Sequence, residues 1–583
     1  MADLLTLLSD RLAPAFAQVA STFALELGDV DLGAVDPVVR PTDRADAQAN
    51  GALPLAKQLG RNPREVAEAV LAVADLHGVA TAEVAGPGFI NLTVEDGFLS
   101  SALAGVAADD RLGIPAQPAK RVVVDYSAPN VAKQMHIGHL RTTVIGDALV
   151  RMLGFLGHDV VRENHIGDWG RPFGIHIENL IDRGVLDAAH LDIDELDDNY
   201  KESTERFKTD PEFAERARAR VVLLQGRDPE TIAIWNRLVE TTEEYWTDLY
   251  GKLGVLLTND DIVGESFYDP LLPEVVERLA SAGLLEHSEG AEVVFPPGFT
   301  NREGEPQPLI VRTSAGAYTY ATSDLACVID RVERVKADLL LYVVGAPQSL
   351  HLSMVFAASA MAGWLQPPTE AVHVPFGQVL GSDRKMLRSR SGDPVNFIDV
   401  VNEAIERGQA AVSDRNPGLT DLERLTIGHN VGIGALKYAD LSTDRVRDYI
   451  FDWDRMLSFD GNTAPYLQYA HTRICSIFRK AEIERGSLAP DVIDIVEPAE
   501  RALAMRLLGY EAAVAETVER YSPHRLCTYL FELASDYTAF YEHCPVLKAE
   551  PAVRDSRLAL SDLTARVLAH GLGLLGIDAP DHM

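Results

Sequence analysis

The stretch from residue 121 to residue 164 constrains the fold of this chain more than any other. Arg121-Val122-Val123-Val124-Asp125-Tyr126 is an apolar run of strand length, and Asp159-Val160-Val161-Arg162-Glu163-Asn164 is a second. Between them lie a polar loop, Ser127 to Met135, and a helical stretch that reaches Leu153. Strand, loop, helix and strand in that order are what an open parallel sheet requires. The ligand site of such a sheet lies at the carboxyl ends of its strands.

The 583 residues predict three to five domains at roughly 150 residues each. The expected class is α/β and multidomain: a Rossmann-like parallel-sheet domain over 116–400, with a helical insertion at about 177–289. A small α+β module over 1–115 precedes it. There Leu4 to Ala24 has helical spacing, Asn62-Pro63-Arg64-Glu65 opens a second helix, and Phe89 to Leu92 is a short strand. Strand-like segments return at Leu309 to Thr313, Leu339 to Val344 and Val372 to Phe376. A helical connecting region over 401–464 and an all-α bundle over 465–583 complete the chain.

The net charge of −34, taken alone, argues against a nucleic-acid binder, since phosphate contacts need Lys and Arg. It leaves room for a local basic track on a large enzyme. The four cysteines, Cys327, Cys475, Cys527 and Cys544, form no Cys-x-x-Cys pair, so no zinc ribbon or redox motif is expected. The amino-terminal residues do not read as a signal peptide, and no apolar run is long enough to cross a bilayer; a cytoplasmic location is expected. No Gly-x4-Gly-Lys-Ser/Thr loop is present, which excludes P-loop ATPases.

The chemistry is expected at His136-Ile137-Gly138-His139, which opens the helix after the first strand. A helix amino terminus offers unpaired N–H groups and positive dipole to an anion. Two imidazoles three residues apart share a helical face and can both donate to phosphate oxygens. Gly138, lacking a side chain, lets a base or phosphate approach the backbone.

The residues around this motif resemble the arginyl-tRNA synthetases, a class I family. The resemblance is carried by Asp125 to Met135 leading into the tetrapeptide and by Glu163-Asn164-His165-Ile166-Gly167-Asp168-Trp169-Gly170 after it. Tyr318 to Ala326, Gly345-Ala346-Pro347-Gln348-Ser349-Leu350-His351, Ala435 to Asp440 and Asp452 to Arg473 extend it over most of the chain. It implies that His136 and His139 contact ATP and stabilise charge at its α-phosphate as an amino-acid carboxylate attacks. It also implies ATP as substrate, with magnesium expected alongside it and no dedicated protein ligands.

The family's mobile phosphate loop matches Gly381 to Gly392, but its usual second lysine falls on Ser389 here. Lys133, just ahead of the histidines, stands where a compensating lysine is expected. Lys385, Arg388 and Arg390 are the loop's candidate phosphate contacts, and which of them matters most stays open.

Asp324 lies four residues after Tyr320, so both project from one face of a helical turn. A carboxylate and a phenol so placed can bracket a guanidinium by charge and ring contact. The resemblance implies that Tyr320, Asp324 and Gln348 bind the arginine side chain, and that Asn130 and Asp125 hold its α-amino and carboxylate end. Roles for His165 and His351 stay open, a satisfied helix histidine being as compatible with His351 as a ligand contact. Arg171-Pro172 stands where many relatives carry Thr-Gln.

For RNA, Tyr466, Tyr469 and Arg473 combine aromatic faces with a cation, though a bundle helix with core tyrosines fits the same residues. By resemblance the bundle binds the anticodon of tRNA(Arg), the amino-terminal module contacts the tRNA elbow, and tRNA must be bound before arginine is activated; a monomer is expected, though the sequence itself does not give the oligomeric state. The competing readings are a synthetase for another amino acid, a small nucleotidyltransferase, and a non-catalytic RNA-binding relative.

Overall fold

The computed structural model describes residues 4–26, 35–184, 191–388 and 395–583. The amino-terminal module is a four-stranded antiparallel sheet of β1 (Val39–Thr42), β2 (Ala45–Ala49), β3 (Ala80–Ala85) and β4 (Phe89–Val94), in the order β1-β2-β4-β3. The helices Leu4–Glu26 and Pro63–Val73 pack against it. Asn62 caps Pro63–Val73, its side chain accepting from the Arg64 N–H at 2.9 Å, and proline takes the first helical position.

The central sheet contains β5 (Arg121–Asp125) and β6 (Asp159–Glu163), as the opening pattern predicts. Next in the chain come β7 (Glu286–Ser288), β8 (Ala291–Val294) and β9 (Leu309–Arg312), then β10 (Leu339–Tyr342) and β11 (Glu370–His373). The parallel sheet runs β11-β10-β5-β6. Val122, Val123 and Val124 have no exposed surface. A parallel strand covered on both faces gives such an unbroken apolar run instead of an alternating one.

Of the three later strand-like segments, Leu309 to Thr313 leaves this sheet. β9 pairs antiparallel with β8, and β8 with β7, in a separate three-stranded sheet. Its residues alternate: Leu309 and Val311 are buried while Ile310 is 42% exposed. That is the pattern of a one-sided antiparallel sheet.

The helical region between β6 and β7 begins with Arg171–Arg183, ahead of the expected boundary at 177, and β7 closes it before 289. Its long helices are Ile193–Thr209, Pro211–Gln225 and Pro229–Leu253. The connecting region likewise starts earlier than 401, in a helix Phe397–Arg415 that packs on Asp421–Leu441. A short parallel pair joins β12 (Val379–Leu380), ahead of these helices, to β13 (Tyr449–Ile450), after them; the helices Ala464–Ala481, Pro498–Leu508, His524–His543 and Pro551–Leu574 follow.

The two ends of the chain meet. Arg566 donates to the carbonyls of Ala107 and Asp109 at 2.5 and 3.0 Å, and Arg501 to Asp46 and the Val94 carbonyl at 2.6 and 2.7 Å. Among the described residues, no helix is long and apolar enough to cross a membrane.

Candidate active site

The loop leaving β5 has an unusual backbone: Ser127, Ala128 and Ala132 have φ of 73°, 48° and 59°. Non-glycine residues hold such angles only where their surroundings dictate them, at about 1–3 kcal/mol each. The helix Pro229–Leu253 is that surrounding. Tyr250 Oη lies 2.7 Å from Ser127 Oγ and accepts from Asn164 Nδ2 at 3.2 Å, while Asn164 Oδ1 accepts from the Ala128 N–H at 3.0 Å. Thr242 Oγ1 accepts from the Ala132 N–H at 3.0 Å, and Tyr245 Oη from the Met135 N–H at 3.3 Å. The insertion therefore clamps the loop that leads to the histidines.

His136 lies ahead of the helix Gly138–Phe155 instead of on its first turn, yet its ring meets that of His139 at 4.1 Å. The Gly138 N–H donates to His136 Nδ1 at 3.1 Å, so the proton of the neutral ring sits on Nε2. His139 Nδ1 lies 3.1 Å from both the N–H and the carbonyl of His136, which pins that end of the ring to the backbone. Burial lowers the pKa of His136, with the Lys133 charge adding, and burial lowers His139 to about 3, with His136 adding. Both rings are neutral near pH 7. Gly138 has an internal reason as well: a Cβ there would lie 2.7 Å from His136 Cε1. A side chain there would push the His136 ring from this position. Lys133 Nζ rests 5.1 Å from the Tyr200 ring centroid.

The candidate phosphate loop is rooted beside these histidines. Its first root is β12, paired with β13, followed by a tight turn in which the Gly381 N–H donates to the Lys385 carbonyl at 2.8 Å. Its second root straddles His136: the Ile137 N–H donates to the Val395 carbonyl at 2.9 Å, and the Phe397 N–H to the Met135 carbonyl at 2.8 Å. Lys385 and Arg388 are exposed on it. Arg390, with Ser389, lies outside the described residues.

The candidate arginine residues come from the carboxyl edge of the parallel sheet. Tyr320 and Asp324 share a face of the helix Tyr320–Glu333, and both meet His351. The Tyr320 and His351 rings are 4.6 Å apart, and His351 Nε2 lies 2.5 Å from Asp324 Oδ2. His351 is thus joined to the Tyr320/Asp324 pair. Tyr320 is 68% exposed, and Gln348, also exposed, ends the short turn that precedes the helix Ser349–Met361. Asn130 lies against Gly167, where a Cβ would stand 2.3 Å from its Oδ1, so any other residue at 167 would displace it.

Asp125 is less free than the sequence suggests. Buried Arg331 donates to Asp125 Oδ2 at 2.8 Å and to Glu163 Oε2 at 2.7 Å, and sits 4.7 Å over the Tyr342 ring. Asp125, Glu163 and Tyr342 occupy one row across the ends of β5, β6 and β10. Only Asp125 Oδ1, buried and without a partner among the described residues, is left for a substrate.

Glu265 was not legible in the sequence. It opens a four-residue helix, and burial raises its carboxyl to about 7, against the opposing charge of His165 and with Asp168 and Asp324 adding. The segment Gly264-Glu265-Ser266 has no periodicity or spacing that marks it.

In the carboxyl-terminal bundle, Tyr469 is 40% exposed, and the Arg473 guanidinium lies 5.0 Å over its ring and 5.7 Å from that of Tyr541. They line a groove with Arg479 and Lys480. Tyr466 does not join them. It is half-buried with its ring 5.7 Å from Phe531, because it faces the helix His524–His543.

Three family models match the chain: tRNA synthetases class I (R), catalytic domain, over 102–453; arginyl tRNA synthetase N terminal domain, over 6–94; and DALR anticodon binding domain, over 467–583. The chain is 50% identical to the arginine–tRNA ligase of Thermobifida fusca, with all of both chains covered. It is 45% identical to that of Escherichia coli strain K12, covering 94% of this chain and 96% of the relative. The arginyl-tRNA synthetase of Plasmodium falciparum superposes with a TM-score of 0.84 at 26% identity, covering 99% of each chain. That of Thermus thermophilus gives 0.78 at 27%, covering 98% of this chain and 100% of the other. With its signature histidines at the carboxyl edge of a parallel sheet and relatives of this similarity along its whole length, the chain belongs to the class I arginyl-tRNA synthetases.

Proposed function

We propose that this chain is an arginine–tRNA ligase. It joins L-arginine to ATP as arginyl-adenylate, releasing pyrophosphate, and then transfers the arginyl group to the 3′ end of tRNA(Arg), releasing AMP. The observation that carries this reading is the convergence on one sheet edge of two neutral imidazoles at a helix amino terminus and the Tyr320/Asp324/His351 cluster.

The imidazoles act as fixed donors. His136 Nε2–H, and His139 Nε2–H when its Nδ1 accepts from the backbone, point a hydrogen bond at the α-phosphate as the arginine carboxylate attacks it. Donors already in place need no reorganisation in the transition state. Neutral rings donate there without drawing the phosphate into a tight ground-state ion pair. Lys133, Lys385, Arg388 and Arg390 supply the positive charge for the β- and γ-phosphates. Magnesium would enter on those phosphates, whose oxygens are the ligands it prefers. The neighbouring imidazoles and ammonium make a poor ligand set for it.

Asp324 and Tyr320 bracket the guanidinium, Gln348 extends over it, and Glu265 adds charge that a cation neutralises. Asn130 and Asp125 Oδ1 receive the α-amino end. Lysine would satisfy the charge but leave unpaired acceptors, which is where discrimination arises. Tyr469 and Arg473 contact unpaired anticodon bases, with Tyr466 supporting the helix from within. The amino-terminal module meets the tRNA elbow, and the enzyme works as a monomer. A cytoplasmic site of action fits its four free, buried cysteines.

Arginine-dependent exchange of pyrophosphate into ATP, with and without tRNA(Arg), tests the reading. Exchange is expected with arginine and to depend on tRNA. Exchange with lysine in place of arginine would overturn the specificity, and none with any amino acid would overturn the activity.

A further inference from the structure

Asp324, Cys327 and His165 bring a carboxylate oxygen, a sulfur and an imidazole nitrogen within 4.8 Å of one another. Asp324 and Cys327 are three residues apart on the helix Tyr320–Glu333 and share a face. His165 comes from the segment after β6. Its Nδ1 lies 3.0 Å from the Val263 carbonyl, which can only accept, so Nδ1 keeps its proton and Nε2 is the nitrogen that can shed one and turn ligand. That Nε2 stands 4.0 Å from Cys327 Sγ. An imidazole fixed by a carbonyl at one nitrogen, with the other aimed among potential ligands, is how metal-binding histidines are oriented.

Two further features favour a cation. Glu265 feels the charges of both His165 and Asp324, so a further acidic group lies near the cluster. Arg331, which opposes a cation here, is matched by the two carboxylates of Asp125 and Glu163. A nitrogen, a sulfur and carboxylate oxygens suit zinc, whereas magnesium and calcium take oxygen ligands alone.

We propose that His165, Cys327 and Asp324 form a site for a thiophilic divalent cation such as zinc, and that this ion and the substrate guanidinium exclude one another because both use Asp324. The metal site stands on its own geometry; the exclusion rests on the arginine reading above. Binding displaces the Cys327 thiol proton and the His165 Nε2 proton to solvent and leaves the His165 Nδ1–H in place. Such an ion would make the synthetase sensitive to zinc at its amino-acid subsite.

The probe is Co2+ added to the full-length chain in metal-free buffer, read by the near-ultraviolet thiolate-to-cobalt band. The band is expected in the wild type, lost in Cys327→Ala and in His165→Gln, and kept in Cys475→Ala. Cys475 belongs to the second His-Cys-Asp group among the described residues, with His471 and Asp581, but the Arg485 guanidinium lies 3.2 Å from its sulfur and repels a cation. Arginine should bleach the band, and Zn2+ should inhibit exchange competitively with arginine, with Cys327→Ala needing at least about tenfold more zinc. Thermal unfolding of both variants shows whether a lost band reflects a lost fold, and Cys327→Ser gives a second, nearly isosteric removal of the thiolate. No band in the wild type, or a band that survives in folded Cys327→Ala, overturns the metal site. A Cys327-dependent band that arginine leaves unchanged, in a chain that still exchanges pyrophosphate with arginine, overturns the exclusion. Failure of arginine to support exchange overturns the functional reading and is seen without reference to the band.

Discussion

His351 Nε2 lies 2.5 Å from Asp324 Oδ2, so an imidazole at the start of one helix holds a carboxylate near the start of another. It fixes the carboxylate by one oxygen and thereby orients the other. Asp324→Asn should raise the KM for arginine about a hundredfold, the scale of a lost charge-assisted interaction, and change the KM for ATP by less than about twofold. His351→Ala should give a smaller rise, about tenfold, through loss of orientation. Pyrophosphate-exchange kinetics with each substrate varied check both, and an equal loss for ATP would remove Asp324 from the arginine subsite.

His139 is pinned through Nδ1, so Nε2 is the nitrogen proposed to reach the phosphate. His139→Asn keeps a polar atom near the Nδ1 position and removes the Nε2 donor. Single-turnover adenylate formation should slow by about 10²–10³-fold with little change in ATP affinity, as for one lost transition-state donor. A variant impaired equally in ATP binding and in rate would show that the ring binds ground state and transition state alike.

Tyr250 joins Ser127 to Asn164 beneath the left-handed turn. Tyr250→Phe should lower unfolding stability by about 1–2 kcal/mol, since two buried polar groups lose a partner. The rate of adenylate formation should fall about tenfold as the loop loosens. Urea unfolding and exchange rates measure the two, and a stable variant of full activity would show that the clamp is redundant.

His176 is buried, with Nδ1 2.9 Å from Ser203 Oγ and Nε2 unpartnered among the described residues. Burial, with the Lys133 charge adding, lowers its pKa from 6.5 to about 3. The native state therefore keeps it neutral while the unfolded chain protonates below about pH 6.5, so stability is lost as the pH falls through that value. Between pH 7 and pH 5 this one group should cost about 2 kcal/mol. Denaturation at the two pH values should show a correspondingly smaller loss in His176→Asn; an unchanged loss would assign the acid sensitivity elsewhere.

Tyr469 and Arg473 share the open groove of the bundle, while Tyr466 is turned inward. Tyr469→Ala should raise the KM for tRNA(Arg) about tenfold or more, as expected for one lost base stack. It should leave the KM values for arginine and ATP unchanged. Tyr466→Ala should instead act mainly on thermal stability. Aminoacylation kinetics and melting curves distinguish the two, and the reverse pattern would move the RNA contact to another face.

The sequence by itself determined the elements and the chemistry. Valines in an unbroken run make β5 a covered parallel strand, Asn-Pro starts a helix at residue 63, and a spacing of four sets Tyr320 and Asp324 on one face. These follow from local geometry, which short-range patterns record. Tertiary structure decided what patterns of period two and 3.6 cannot carry. It sent β9 to a separate antiparallel sheet and set Arg331 on Asp125. It brought Glu265, His351 and His165 to the Tyr320/Asp324 cluster from distant segments. It also placed the insertion helix 229–253 where its tyrosines and threonine hold the loop ahead of His136. Each of these contacts joins residues far apart in the chain, and a buried polar group is satisfied by whichever partner packing delivers, not by its neighbours in sequence.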